Sequence, residues 1–442
     1  MHRTATLFKF LIPSLIGVLM FLFPIQIDGE TTIPVAYLAG LLIDLIGPDN
    51  VILIVVLLIN LSALLTILFS WIVNPGPEFL KNLFRTNTIW VILRAAGAVF
   101  ALMAYYMFGP EAVNSDVTGG MILNDLLPTL FAVFLFAGIL LPLLLNYGLL
   151  EFVGSIFAKI MRPLFTLPGR STVDNLASWV GDGTVGVLLT SNQYEKGYYS
   201  KREASVIATT FSVVSITFSI VILDLIGLMN YFGLFYMTII IAGVAAALIM
   251  PRIPPLSWIK DDYYVEGEEL DETIPSGYNP FSWGYKKALD RSEKAEGLGG
   301  FLKDGVKTVA DMWFAVLPIV MAIGTLGTLL AEYTPIFAWI GAPFVPLLEL
   351  MGIPEAQAAS EALFIGFTDM FLPAILIEGV SADMTRFIIG ALSITQLIYL
   401  SEVGGVILGS KIPVGLGKLF VIFLLRTAIT LPIITLIAHF IF

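Results

Sequence analysis

The chain has 442 residues, 57% of them hydrophobic and 13% charged, and a mean hydropathy of +0.91, which is too apolar for a water-soluble surface. It has no cysteine and only two histidines, His2 and His439 at its ends. A disulfide framework, a thiolate nucleophile and a thiolate metal site are therefore excluded, and a net charge of −11 argues against a nucleic-acid partner.

The apolar blocks are apolar all round, without the alternation of a β-barrel, so the fold class is an all-α polytopic membrane protein in a lipid bilayer. Nine runs have the length of a full transmembrane helix: 11–27, 51–73, 89–108, 126–145, 204–226, 231–250, 308–330, 387–408 and 419–442. The first follows Arg3 and Lys9 without a small-residue cleavage site and reads as a signal anchor. With the N-terminus in the cytoplasm, the Lys and Arg of the loops collect on the inner side and Arg386 alone stays outside. That asymmetry is the positive-inside rule and gives a multi-pass protein of the bacterial inner membrane.

Shorter or interrupted apolar stretches carry more information. Segments 149–164 and 335–351 read as interfacial amphipathic helices. The stretch 173–191 is broken by Gly181-Asp182-Gly183-Thr184, and 359–378 by Gly366, Thr368-Asp369 and Pro373. Both are predicted to be re-entrant helical hairpins, since non-helical backbone at membrane depth survives only beside protein or a watery cavity. Gly154 and Gly341, Pro168 and Pro354, Gly181 and Gly366, and Ala208 and Ala391 stand about 185 residues apart. The predicted plan is N-terminal scaffold helices (1–125), a first repeat (126–250), a cytoplasmic loop (251–307) with an amphipathic helix near 286–296, and a second, inverted repeat (308–442).

Val180-Gly181-Asp182-Gly183-Thr184-Val185-Gly186, followed by Tyr194-Glu195-Lys196-Gly197-Tyr198-Tyr199-Ser200-Lys201-Arg202-Glu203-Ala204, resembles the nucleoside-recognition or Gate domain of the YjiH-like bacterial membrane proteins. More remotely the chain resembles the concentrative nucleoside transporters, and that resemblance implies two inverted repeats, each with a re-entrant hairpin and a partly unwound helix. The glutamine-threonine-glutamate signature of those carriers is replaced here by Asp174-Asn175-Leu176-Ala177-Ser178, so the resemblance implies a transporter scaffold and not a nucleoside substrate.

Ionisable groups within a membrane cost about 2.5–3.5 kcal/mol each on insertion scales and are functional candidates when they face a cavity. Asp182 and Asp369 fall at the hairpin breaks, where a capping role competes with substrate or cation binding. Ser360 and Glu361 lie on the first arm of the second hairpin. Glu402 stands before Gly404-Gly405, a pair that would let the helix unwind beside an acid. Asn175 and Ser178 share a face of the first arm, and Thr184 begins the second. Trp179 is placed to stack on a planar substrate or to pack against lipid. Thr210, Gln396 and Ser401 are the polar groups of the adjoining spans to test. Arg426 reads as snorkelling to the inner interface. Sodium is expected, if at all, near Asp182, Thr210, Asp369 and Glu402.

No phosphate-binding loop is present, and neither a cysteine nor a mid-membrane histidine is available for catalysis. The expected function is thus a secondary transporter and not an enzyme, with no cofactor beyond a coupling Na⁺ or H⁺. Its substrate would be a small polar metabolite, nucleoside or amino-acid-like, and its assembly a homo-oligomer. The competing class is a non-transporting gating or structural subunit of a membrane complex.

Overall fold

A computed structural model describes residues 2–442 except Pro24, 28–29, 74–75, 179–182, 212–218, 220–221, Asp224 and 266–273. The described chain is almost wholly helical. Helix α1 (His2–Leu22) leads to a two-stranded antiparallel ribbon, β1 (Ile25–Ile27) and β2 (Glu30–Thr32), with Ile25 opposite Thr32. The longer helices that follow are α2 (Pro34–Ile46), α3 (Pro48–Ile67), prolonged by a π-turn to Ile72, and α4 (Thr88–Tyr106).

The first half consists of α5 (Leu127–Leu145), α6 (Leu149–Phe165), α7 (Ser171–Leu176), α8 (Gly183–Glu195), α9 (Lys201–Val206) and α10 (Phe232–Ile249). A connection bearing α11 (Pro280–Lys294) and α12 (Leu298–Asp311) leads to the second half. There α13 (Leu317–Tyr333), α14 (Ile336–Gly341), α15 (Val345–Leu350), α16 (Ala356–Ile365), α17 (Phe371–Ile377), α18 (Asp383–Gln396), α19 (Val403–Gly409) and α20 (Leu416–Ile441) close the bundle.

Among the described residues, six helices are long and apolar enough to cross a membrane: Pro48–Ile72, Thr88–Tyr106, Glu111–Leu145, Met229–Trp258, Gly299–Tyr333 and Leu416–Ile441. Even the 19 residues of Thr88–Tyr106 reach roughly 28 Å at the rise of an α-helix, close to a hydrocarbon core. These match six of the nine expected spans, and the other three differ. The run 11–27 leaves the helix at Leu22, because Ile25-Gln26-Ile27 and Glu30-Thr31-Thr32 place β-branched residues on both sides of Asp-Gly, a hairpin sequence. The run 204–226 starts as α9 and a π-turn, Ile207–Phe211, and most of its remainder falls outside the described residues. The run 387–408 is two helices, since Leu397 takes φ +63° and residues 397–402 leave the helix before α19 begins.

The connection is also shorter than 251–307. Helical turns carry Met229–Trp258 past Pro251, and α12 continues through a π-turn, Met312–Val316, into α13. Helix α11 starts earlier than the amphipathic helix expected near 286–296, because Asn279 and Ser282 form a capping box, which satisfies two of the free N–H groups at that terminus.

The two halves repeat one order of parts. Each opens with a five-residue π-turn followed by Leu-Pro, Ile122–Leu126 before Leu127-Pro128 and Met312–Val316 before Leu317-Pro318. Proline suits the first helical turn, where its missing N–H leaves no bond unmade. An amphipathic segment comes next (α6, or α14 with α15), then two short arms packed on one another (α7 with α8, α16 with α17), then a further helix (α9 with its π-turn, or α18). Gly154 and Gly341 act alike. A Cβ on Gly154 would lie 3.0 Å from the Arg170 amide nitrogen, and one on Gly341 would lie 2.4 Å from the Ser360 carbonyl, so each glycine admits the backbone around the first arm of its half. Across the bundle α4 packs on α3 and α13, α12 on α5, and α20 on both α10 and α18.

Two outcomes follow. Gly341→Ala drives a Cβ into a backbone carbonyl and is expected to lower stability by about 1–3 kcal/mol, whereas Gly243→Ala, with open space around its Cβ, should be neutral or slightly stabilising. Thermal melting of purified protein in detergent compares them. Glu355 accepts bonds from the Ser381 amide (3.1 Å) and hydroxyl (2.7 Å) and from the Ala382 amide (3.1 Å), and these donors hold its carboxyl below the ordinary glutamate value of 4.5. A depressed carboxylate stabilises the fold above its unfolded pKa and loses that contribution as the pH falls through its folded value. Wild type should therefore melt above Glu355→Gln at neutral pH, with the gap closing only as the pH drops below 4.5.

Candidate functional site

In the first half, the arms α7 and α8 meet at Gly186, where a Cβ would stand 1.7 Å from Ser178 Oγ. Only glycine lets the arms close to that distance, and Ser178 is buried as a result. Asp174, on α7, accepts a hydrogen bond from Thr190 Oγ1 of α8 at 3.2 Å. Tyr199 and Gln193 turn toward the same carboxylate, but too loosely for well-formed bonds: Asp174 Oδ1, the Tyr199 hydroxyl and Gln193 Nε2 are all buried without a partner, as are Asn175 Oδ1 and Thr172 Oγ1. Below them Arg170 lies over the Tyr198 ring, 4.0 Å from its centroid, and 3.9 Å from Glu151. Thr184 is buried at the start of α8, while Trp179 and Asp182 lie outside the described residues.

In the second half, the tip of the hairpin is bound to the break in the neighbouring helix. The Leu400 amide donates to the Phe367 carbonyl (2.8 Å) and the Ser401 amide to the Thr368 carbonyl (2.9 Å). Asp369 accepts from Ser401 Oγ (2.6 Å) and from the Phe371 amide (2.8 Å). It thus bonds the first amide of α17 and also grips the unwound segment. Gln396 donates through Nε2 to the Leu363 carbonyl and to Thr427 Oγ1, both at 2.8 Å, while its Oε1 is buried without a partner. A Cβ on Gly366 would come 2.5 Å from that oxygen.

Asp369, Ser401 and Gln396 therefore surround one hairpin tip, with Glu402 beside them at the start of α19. Ser360 and Glu361 lie a little over one turn back from the end of α16. Ser360 Oγ donates to the Gln357 carbonyl (2.7 Å), and half-buried Glu361 accepts from Gln357 Nε2 at 3.5 Å. The pair Gly404-Gly405 is not where the helix opens. Both glycines lie inside α19, and a Cβ on either would meet the Tyr399 or Leu400 carbonyl at 2.8 and 2.7 Å. Their role is to let the unwound segment lie against the short helix that follows.

The reading of Arg426 as a snorkelling residue is corrected. Its side chain is the largest of the fully buried ones and turns into the bundle. Nε and Nη2 donate to the Thr395 carbonyl at 3.0 and 2.7 Å, and Nη1 to the Thr210 and Thr209 carbonyls at 3.2 and 3.4 Å. One guanidinium thus joins the end of α18, at the break of the second half, to the π-turn of the first. Asp174 and Arg426 are the two residues that reading along the chain missed. The buried acid has its signal in Thr190, one hairpin turn away; Arg426 has none, because its partners lie 31 and 216 residues distant.

A cavity of about 270 Å³ opens at the Tyr194–Gly197 end of the first hairpin, lined by Glu195, Lys196, Asp304, Lys307, Asp311 and Lys411 among others. Ser191 Oγ donates to Glu195 at 3.1 Å, and Lys196 approaches Asp304 at 3.9 Å. The three acids and three bases give a polar cavity of balanced charge beside the second arm of the hairpin.

Comparison with known proteins gives a family and no substrate. The model described as Gate, nucleoside recognition, matches residues 127–229, from the first residue of α5 through the first hairpin. An uncharacterised protein of Alkalihalophilus pseudofirmus, BpOF4_10220, is 48% identical over 445 aligned residues, covering 99% of this chain and 96% of its own. Among solved structures, an outward-facing variant of CNTnw is 14% identical with a TM-score of 0.37, covering 99% of both chains. The YdaH transporter of Alcanivorax borkumensis is also 14% identical with a TM-score of 0.17, covering 100% of this chain and 98% of its own. At these scores neither structure informs the site. The Gate match at the first hairpin and the near full-length identity with BpOF4_10220 establish that this multi-pass membrane protein belongs to the YjiH-like Gate family.

Proposed function

We propose that the chain is a secondary transporter that binds a small polar metabolite, a nucleoside or a compound of similar polarity, between its two halves. The observation that carries this reading is the set of buried polar groups without partners at the first hairpin: Asp174 Oδ1, Asn175 Oδ1, Gln193 Nε2 and the Tyr199 hydroxyl. Each costs about 1–3 kcal/mol when left unsatisfied. A ligand offering both donors and acceptors would satisfy them, and the Gate description attached to this segment is in keeping with a nucleoside. On this reading the two broken stretches are re-entrant hairpins, the halves 126–250 and 308–442 are inverted repeats, and the charged cavity at Glu195 is the mouth on the cytoplasmic side. Interrupted helices in corresponding places of two halves are where transporters of this design bind substrate and coupling ion.

Uptake of radiolabelled nucleosides into liposomes that hold only this chain tests the proposal, and it separates transport from a gating role in a larger complex. Asp369→Asn and Asp174→Asn should each lower uptake at least tenfold, about 1.4 kcal/mol, while inserting normally. Glu402→Gln, beside Ser401, should impair uptake more than Glu361→Gln, whose side chain is half-exposed on α16. Equal, wild-type uptake by all four variants would remove the site from this place.

The inverted arrangement has its own test. Because the chain has no cysteine, single cysteines can be placed in the natural sequence and challenged with an impermeant thiol reagent on intact cells. Gly197→Cys, after the first hairpin, should label only once the cells are permeabilised, and Ala382→Cys, after the second, should label directly. Labelling of both from one side would mean that a hairpin crosses the membrane or that a span has been miscounted, and would overturn the inverted arrangement.

A further inference from the structure

Arg426 occupies a place made for a cation. Helix α18 ends at Gln396, and its last carbonyls, Thr395 among them, have no partner within the helix. The π-turn Ile207–Phe211 presents the Thr209 and Thr210 carbonyls from the other half. Carbonyls at a helix C-terminus carry a partial negative charge, and in transporters built from broken helices such half-helix ends and unwound carbonyls coordinate the coupling cation. Here every nitrogen of the guanidinium meets a backbone carbonyl, at 2.7–3.4 Å. Among the described residues no carboxylate forms a salt bridge with it, and none of the groups of acidic and histidine side chains could hold a metal.

We infer that Arg426 is a tethered cation, filling the carbonyl site between the end of α18 and the π-turn of the first half that a free Na⁺ would otherwise occupy. The inference deepens the transport reading, on which it rests for the meaning of the site as a coupling position. Its consequence is that the carbonyl ends at Thr395 and Thr210 are closed to sodium, so a coupling cation has to bind elsewhere, at the acids of the hairpins. The guanidinium is permanently charged and presents its donors in a fixed planar fork, so the site is loaded in every chain. It is anchored on the 26 residues of α20, the longest single helix described, and Thr430 Oγ1 bonds the Arg426 carbonyl at 2.9 Å.

Melting of the purified full-length protein tests this, in NaCl, KCl and choline chloride at equal ionic strength. Wild type should melt at the same temperature in all three. Arg426→Ala should melt lower and recover in a saturable way with millimolar guanidinium or Na⁺, but not with choline. Arg426→Lys, which keeps a charge, should melt closer to wild type than Arg426→Gln, which keeps only hydrogen-bonding capacity, and this comparison stands even if the alanine variant fails to fold. Melting of Arg426→Ala at the wild-type temperature, its failure to respond to any of these small cations, or Gln matching wild type better than Lys would each overturn the inference. These readouts report occupancy of the carbonyl site and not uptake, so a failed transport assay would leave them intact and the reverse.

Discussion

A single positive charge with no route to water organises the middle of this bundle. Removing a guanidinium from water is affordable only where polar groups replace its hydration, and the groups available at the depth of Arg426 are main-chain carbonyls. Regular helices have none to spare. The charge is met where α18 stops inside the protein, at Gln396, and at the π-turn Ile207–Phe211 of the first half. The dependence runs both ways, because helix ends buried without partners would themselves be destabilising. Break and charge each make the other tolerable.

The same logic spreads outward from the break. Once residues 397–402 leave the helix, their own amides need acceptors, and the Phe367 and Thr368 carbonyls at the hairpin tip provide them. That bond pair brings Asp369 to Ser401, and Gln396 reaches from the last residue of α18 to both the hairpin arm and α20. Hairpin, broken helix and C-terminal helix thus form one polar unit inside an apolar protein. Small residues set the distances: Gly366 faces Gln396, Gly404 and Gly405 face the unwound carbonyls, and Gly186 does the corresponding work against Ser178 in the other half.

Much of this was visible along the chain. Apolar runs of the right length identify six membrane helices, and clusters of breakers such as Gly366, Thr368 and Pro373 mark where a helix cannot continue. The order of parts in the two halves also survives in the sequence, since π-turn and Leu-Pro, packing glycine and broken arms recur at matching places. What stayed hidden was whatever depends on partners far apart. The break at Leu397 carries no glycine or proline of its own, and the nearby Gly404-Gly405 drew attention to the wrong residues. Arg426 looked like an interfacial anchor because an arginine within an apolar run usually is one; only the three-dimensional path of α18 and α9 reveals carbonyls within its reach. Asp174 stood unremarked beside Asn175 for the same reason, as Thr190 and Tyr199 approach it only when the arms fold together.

The position of Arg426 in the chain also bears on how the protein is made. It sits in the last helix, so it is the last of its contacts to leave the ribosome, after both sets of carbonyls that receive it have been synthesised and the first-half π-turn has had the whole second half in which to find its place. Until α20 arrives, the Thr395 carbonyl at the end of α18 lacks this partner; until α20 docks, its arginine is a charge in lipid, with an insertion penalty of about 2.5–3.5 kcal/mol. Neither intermediate can rest as it is. Assembly of the two halves and synthesis of α20 are thereby coupled, and a truncated product that lacks this helix would hold an open helix end at its centre, a defect that cellular quality control can recognise.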